Sequence, residues 1–405
     1  MLDYKLLDWK LIACAFALSA IGILVIMSAE YHSPHAYERT FYMRQMVWLI
    51  VAIVVFLTVI HLPPRLFDMG AYFTYAIALL LLILVFSVGT SRLGAQRWFD
   101  LGPVSITPSD IAKIAVLLTL ARFFAYTKFP LVSKRRFAIS ALIAGIPMAL
   151  IMKQPDLGTS LVLIVMLFAL WFWSGLSPWY LFLIVSPLVS LLSASHWLSW
   201  VIYFAVLIGL LALFKPGFLF GLVVIIFNLA FGTFTPFIWN TLKDYQKLRI
   251  LTFLDPGRDP RGAGYQIIQS KIAIGSGGLT GKGYLEGSQS RLDFLPERHT
   301  DFIFSIIGEE FGFVGGMVIL LLFGIIFYRA IRTAVKCRSP FLSYIVVGAA
   351  SILLFQVLVN IGMTLGMMPV TGLPLPFVSY GGTSLVLVWT LVGLIVLAGY
   401  HWQEY

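Results

Sequence analysis

The chain has 405 residues, 60% of them hydrophobic and only 11% charged, with a formal net charge of +10 and two cysteines. A soluble domain carries about 25% charged residues, so the polar surface here is too small to cover a water-soluble globule and a bilayer must solvate most of the protein. The positive balance does not imply a nucleic-acid partner, because 12 of the 28 Lys and Arg lie in short segments between apolar runs, where such residues set membrane topology.

A spanning helix needs about 20 mostly apolar residues. Such stretches run over 11–29, 45–61, 70–88, 109–126, 137–152, 158–175, 179–195, 198–214, 217–239, 302–328, 342–366 and 383–400. They predict an all-α polytopic membrane protein of about twelve spans, a single membrane domain over 1–405. Several gaps are very short, which leaves room for broken or re-entrant helices. Asp3, Lys5, Asp8 and Lys10 mix both charge signs before the first run, which reads as an uncleaved first helix and not as a signal peptide.

Orientation follows from the basic residues of short loops. With the N-terminus in the cytoplasm, cytoplasmic segments hold Lys5, Lys10, Arg65, Lys128, Lys134, Arg135, Arg136, Lys215, Arg329, Arg332, Lys336 and Arg338. The short outer loops hold only Arg39, Arg44, Arg92, Arg97 and Lys153. Both termini are then cytoplasmic, and a long loop of about residues 240–302 lies outside. Cys14 and Cys337 both fall on the inner side, so no disulfide framework is available outside.

Three outer segments are more than minimal turns: Ser91–Pro103 leading to Thr107-Pro-Ser-Asp110, the long loop, and the apolar but Pro- and Gly-rich Met368–Gly382. Irregular backbone at membrane depth must be buried in protein or line a wet cavity. Within the long loop, Tyr265, Ile268 and Ile272 share a helical face away from Gln266, Gln269 and Lys271, which fits a short helix at the interface or one packed on the outer face.

The polar residues with a chemical case cluster near these segments. Glu297-Arg-His-Thr-Asp301 enters the span at 302, where Thr300 and Asp301 read either as a helix cap or as a carboxylate site for proton transfer or cation binding. Glu309 and Glu310 lie inside that span, beside Gly308, Gly312 and Gly316 at the four-residue spacing of close helix packing. Lys113 follows a capping-box pattern, Thr107 to Asp110, and reads either as a snorkelling lysine or as a partner for an outer carboxylate or a phosphate. Asp156 reads first as the cap of the next helix. Gly275–Gly283 fails as a phosphate loop, with Ser276 where the first Gly is required and Gly283 where Ser or Thr is required, and reads as a hinge or, less well, an anion nest.

These segments in order resemble the SEDS family (shape, elongation, division and sporulation). The matching stretches are Gly94-Ala-Gln-Arg-Trp98, Pro108-Ser-Asp-Ile-Ala-Lys113, Lys153-Gln-Pro-Asp-Leu-Gly158, Asp255-Pro, Gly264–Gly278, Phe294–Phe304 and Pro374–Gly382, which together cover nearly the whole chain. Arg298 resembles the elongation branch, since the division branch usually has Ala there. The family usually has ten spans, so about two are surplus, near 178–214, and two extra helices leave the long loop on the same side.

The resemblance implies a peptidoglycan glycosyltransferase of the bacterial cytoplasmic membrane, active in cell elongation and rod-shape maintenance. It would polymerise lipid II into β-1,4 glycan strands at the outer face, with a class B penicillin-binding protein, a single-span transpeptidase, as partner. It implies Asp301 as the essential acid, taken here as the base, and Lys113 as its basic partner. Such a pair would orient Asp301 yet lower its pKa, which suggests rearrangement on substrate binding. Arg97, Glu297, Arg298, His299, Asp156, Ser379 and Tyr380 are candidates for substrate binding. The departing diphosphate needs cationic residues or a divalent cation, magnesium or manganese, with Asp293 and Glu297 as candidate ligands; no nucleotide or organic cofactor is expected. A lipid II flippase and a non-catalytic scaffold are the competing readings; a transporter should hold its key polar groups near the midplane, whereas this cluster lies at the outer edge.

Overall fold

The computed structural model describes the chain apart from residues 1–3, 32, 34, 36, 93–94, 102–103, 128–133, 216, 242–246, 249–250, 254, 256, 258–262, 289–296 and 404–405. Every stretch read as a span is helical. These are α1 (Trp9–Glu30), α2 (Phe41–His61), α3 (Pro64–Val88), α4 (Pro108–Tyr126), α5 (Lys134–Lys153) and α6 (Leu157–Trp173). They continue as α7 (Pro178–Ser193), α8 (Trp197–Phe214) and α9 (Phe218–Thr233), followed by the short α10 (Thr235–Thr241) and α11 (Ala263–Ser276). The last three are α12 (Ile303–Lys336), α13 (Pro340–Thr364) and α14 (Gly382–Tyr400).

Among the described residues, eight helices are long and apolar enough to cross a membrane, or nine if the bent pair α9–α10 is one span. The shortfall from twelve has local causes. Helices α6 and α7 have 17 and 16 residues. Helix α4 carries Asp110, Lys113 and Arg122 within its 19 residues.

The segment after α3 departs from the all-α expectation. Thr90–Arg92 (β1), Ala95–Leu101 (β2) and Val104–Ile106 (β3) form an antiparallel sheet in the order β1-β2-β3, with Thr90 opposite Trp98 and Phe99 opposite Ile106. Ladder pairing satisfies the main-chain groups of a stretch that enters no helix.

By its contacts the chain divides into two compact units, residues 1–170 with 252–405, and residues 171–251. The surplus helices expected near 178–214 belong to the second. Its interior joins polar side chains that would be costly alone in lipid. Asn228 is fully buried; its amide donates to Ser186 Oγ at 2.8 Å and its Oδ1 accepts from the Tyr203 hydroxyl at 2.6 Å.

In the first unit α14 packs on α2, and α12 on α13 and α1. Buried Trp389 on α14 donates to Ser19 Oγ on α1 at 3.2 Å. The 34 residues of α12 do not form one helix. Gly312, at φ 62 and ψ −156, divides them into an entry segment Ile303–Phe311 and a longer run after it. The break exposes main-chain groups that hydrocarbon would leave unsatisfied.

The Gly-rich run after α11 supplies the partners. Phe313 and Val314 N–H donate to the carbonyls of Gly278 and Leu279, and Lys282 and Gly283 N–H donate to the carbonyls of Glu309 and Glu310. Lys282 Nζ also donates to Glu309 Oε1 at 2.7 Å, which pairs a fully buried carboxylate. The run expected to be a hinge is therefore a clasp over a helix break, fixed by four main-chain bonds and an ion pair.

Helix α11 packs on α12 through Ser270, whose hydroxyl meets Ser305 Oγ at 2.6 Å and donates to the Thr364 carbonyl at 2.6 Å. Its buried face holds Ile267, Ser270 and Ala273, not the face read as apolar, on which Ile272 is 47% exposed. On that second face Tyr265 and Ile268 are half-buried and only Ile272 is exposed, so the helix packs on the protein along more than one face.

Candidate active site

The turn before α12 is set by its own main chain. Glu297 is at φ 52, and its carbonyl accepts from the N–H groups of Thr300, Asp301 and Phe302 at 3.2, 3.1 and 3.3 Å. Phe302 occupies the cap position, so neither Thr300 nor Asp301 caps α12, and that alternative is not what the turn does. The Thr300 hydroxyl turns back to the carbonyl and carboxylate of Glu297.

The Pro- and Gly-rich segment between α13 and α14 is bound to this turn. Ser379 Oγ donates to the Thr300 carbonyl at 2.6 Å and accepts from Leu375 N–H at 2.8 Å. Tyr380 N–H donates to the His299 carbonyl at 2.8 Å. Asn360 on α13 donates to the carbonyls of Asp301 and Leu373 at 3.0 and 2.8 Å. The Asp301 carboxylate reaches the same segment, with Oδ2 at 3.6 Å from where a Cβ on Gly372 would stand. A single hydroxyl on Ser379 thus joins two irregular segments. Ser379→Ala is expected to cost about 1–2 kcal/mol of positioning and lower the turnover of purified protein roughly tenfold, with unchanged yield.

Two further helix N-termini arrive here. Asp110 accepts from Lys113 Nζ at 2.8 Å and from the Thr383 hydroxyl at 3.1 Å, which ties α4 to α14. Thr107 makes no capping bond, so the capping-box pattern is not realised; its hydroxyl lies 3.4 Å from Thr383 Oγ1. Lys113 is 3% exposed and its ion pair is with Asp110, not Asp301. It does not snorkel.

Asp156 caps α6, accepting from Thr159 N–H at 3.1 Å, as its first reading had it. Arg97 on β2 lies 4.0 Å from Asp156 and donates to the carbonyls of Gln154 and Pro155, while about a quarter of its side chain stays exposed. Gly158, one turn in, would place a Cβ 3.0 Å from the Thr371 carbonyl, so α6 begins against the Pro- and Gly-rich segment. The N-termini of α4, α6, α12 and α14 therefore meet at one end of the bundle, where their dipoles favour an anion.

Arg298 and His299 face the other way. Arg298 is 2% exposed and donates through Nε and Nη2 to Glu30 at 3.3 and 3.1 Å; His299 Nδ1 lies 2.9 Å from the same carboxylate. Phe41 covers them, its ring 4.7 Å from that of His299 and stacked 4.6 Å from that of Tyr380. Burial raises the Tyr380 phenol above its ordinary value against the opposing pull of Arg44, so it stays protonated. The candidates thus fall into two groups. Asp301, Asp156, Arg97, Ser379 and Tyr380 belong to or border the Pro- and Gly-rich segment, and Lys113 joins the start of α14 through Asp110 and Thr383, whereas the side chains of Arg298 and His299 bind the turn to α1. Glu297 is exposed.

Glu30 and Asn360 are the residues that motif reading missed. Both carried a signal: an acid and an amide in otherwise apolar spans are functional candidates by default. Asp293 lies outside the described residues, and among those described no group of three or more His, Cys, Asp or Glu side chains is placed to hold a metal ion. Glu297 alone is not a binding set, so its carboxylate is read here only through its contact with Thr300.

Asp301 thus stands at one end of a multi-span bundle, near the N-termini of four helices. The family model described as a cell cycle protein, FtsW/RodA/SpoVE, matches residues 8–202 and 198–404, and the chain belongs to that family. It is 37% identical over 396 residues to the peptidoglycan glycosyltransferase MrdB of Escherichia coli K12, covering 98% of this chain and 94% of the relative. It is 35% identical to the peptidoglycan glycosyltransferase RodA of Treponema pallidum, covering 96% of each. A solved structure described as the structural coordination of polymerization and crosslinking by a peptidoglycan synthase complex superposes with a TM-score of 0.73 at 34% identity, covering 98% of this chain and 99% of that one.

Proposed function

We infer that this chain is a peptidoglycan glycosyltransferase of cell elongation, polymerising lipid II into β-1,4 glycan strands. What supports the mechanism is that Asp301 and the Arg97–Asp156 pair border the Pro- and Gly-rich segment, while the Lys113–Asp110 pair is tied to Thr383 at the start of α14, just beyond that segment. Asp301 accepts the proton of the acceptor sugar hydroxyl as that oxygen bonds to the anomeric carbon of the donor. The bond from that carbon to the diphosphate breaks, its electron pair leaves with the undecaprenyl diphosphate, and the proton passes from Asp301 to water. No protein acid is needed for so good a leaving group, unlike the two carboxylates of glycoside hydrolysis.

Lys113 neutralises Asp110 in this arrangement, so the pairing that would weaken Asp301 as a base is not made through Lys113. Arg97, partly exposed at the rim, and the four helix ends favour the diphosphate. A divalent cation would supply further charge neutralisation there.

We place this end of the bundle outside the bacterial cytoplasmic membrane, with both termini inside, twelve spans, and a class B penicillin-binding protein as partner. The broken α12, with buried Glu309 and Glu310, is a feature a lipid transporter would share. Purified protein with its transpeptidase partner and labelled lipid II separates the two: polymer and lipid flipping are scored independently. Polymer is expected; flipping without polymer would overturn the enzyme reading, and neither would favour a scaffold.

A further inference from the structure

Arg298 and His299 stand beside the proposed base, and both are cationic or potentially so, which makes them natural candidates for a departing diphosphate. The geometry commits them elsewhere. Glu30, at the end of α1, is 2% exposed and takes three hydrogen bonds: from Arg298 Nε at 3.3 Å, Arg298 Nη2 at 3.1 Å, and the ring Nδ1 of His299 at 2.9 Å. Arg298 is as buried as its partner. A diphosphate that drew Arg298 away would leave Glu30 a buried charge without its guanidinium partner, the costliest way to use such a pair.

The consequence for the site runs through the main chain. Arg298 and His299 belong to the turn that closes on the Glu297 carbonyl and delivers Asp301. Their carbonyl side is held by the Pro- and Gly-rich segment, since His299 accepts from Tyr380 N–H and Thr300 from Ser379. On their side-chain side, Glu30 of α1 binds both, with Phe41 of α2 packed against His299. Helix α1 is itself fixed near that end: Ser28 donates to Glu310 on α12, and the Tyr284 hydroxyl donates to the Leu24 carbonyl at 3.1 Å.

We propose that Glu30 is a positioning residue for glycosyl transfer: through the buried Glu30–Arg298–His299 cluster, α1 sets where the turn holds Asp301, and Arg298 serves this brace and not the diphosphate. This rests on Asp301 being the base. A base displaced by 1 Å from its acceptor hydroxyl loses rate without losing substrate, so the cluster acts on kcat.

The test uses the full-length protein in complex with its transpeptidase partner, with labelled lipid II as substrate. Glu30→Gln keeps the shape and removes the charge; it should lower the melting temperature, since Arg298 is left a buried charge without its counter-charge, and in the folded, complex-bound fraction lower kcat at least tenfold with KM for lipid II within twofold. Arg298→Gln should behave the same way, and the double variant should be no worse than either single within about threefold, because one interaction is being removed twice. A raised KM for Arg298→Gln, or losses that multiply in the double variant, would overturn the proposal in favour of a diphosphate-binding Arg298. Where Glu30→Gln fails to fold, Glu30→Asp retains the charge and retracts the carboxylate; it should fold and still lower kcat, and parental kcat there would overturn the proposal. Asp301→Asn is the control. If it is inactive while the Glu30 variants keep parental kcat, only the positioning role fails; if it polymerises normally, the base assignment beneath it fails.

Discussion

Asp301→Asn in the purified complex should abolish glycan polymer, with a loss of about 10²–10⁴-fold or more, the range that general-base catalysis supplies. The substitution is nearly isosteric. The turn is held through main-chain groups that Asn leaves in place: the Glu297 carbonyl closing on residues 300 to 302, and Asn360 donating to the residue 301 carbonyl at 3.0 Å. Folding, thermal stability and partner binding should therefore match the parent. Gel analysis of polymer from labelled lipid II reads the activity; polymer at parental rate would remove Asp301 from the mechanism.

The second large effect is on folding. Gly281→Ala should destabilise the protein by about 3 kcal/mol or more, seen as a lost or sharply lowered melting transition in detergent and poor yield. Gly281 is at φ 85, a conformation that costs an alanine, and a Cβ there would run into the carbonyl oxygen of Glu310. The neighbouring main-chain bond from Gly283 to that carbonyl would be lost with it. Gly275, six residues earlier, has open space around its Cβ position. Gly275→Ala should stay within about 0.5 kcal/mol of the parent. Equal melting of the two variants would show that the clasp does not hold the break.

Much of this was legible in the sequence because lipid imposes strong rules. Runs of apolar residues long enough to span become helices, since hydrocarbon offers the backbone no other partner; the stretches read from composition are helical, with 217–239 and 302–328 each broken once. Placing the long loop and Met368–Gly382 on one side followed from the same reasoning; their bonding through Ser379 and Tyr380 did not. What the sequence withheld was pairing across the fold. Lys113 has two acids within reach of any sensible argument, and local spacing could not say that Asp110, one turn away, would take it. The Gly275–Gly283 run is permissive by composition, and permissive backbone serves equally as a hinge or as the close-packed lining of a helix break. Capping patterns at Thr107 and Thr300 were real as patterns, but the Thr107 hydroxyl lies against Thr383 across the fold and the Thr300 hydroxyl turns back to Glu297 within its own turn. Glu30 escaped notice because its importance lies in residues 268 and 269 positions away.

The clasp has one more consequence. Because residues 282 and 283 are bonded to residues 309 and 310, the chain between them is a closed circuit whose two ends are pinned at the break in α12. The nine residues from Ile303 to Phe311 then act as a ruler of fixed length between the break and Asp301.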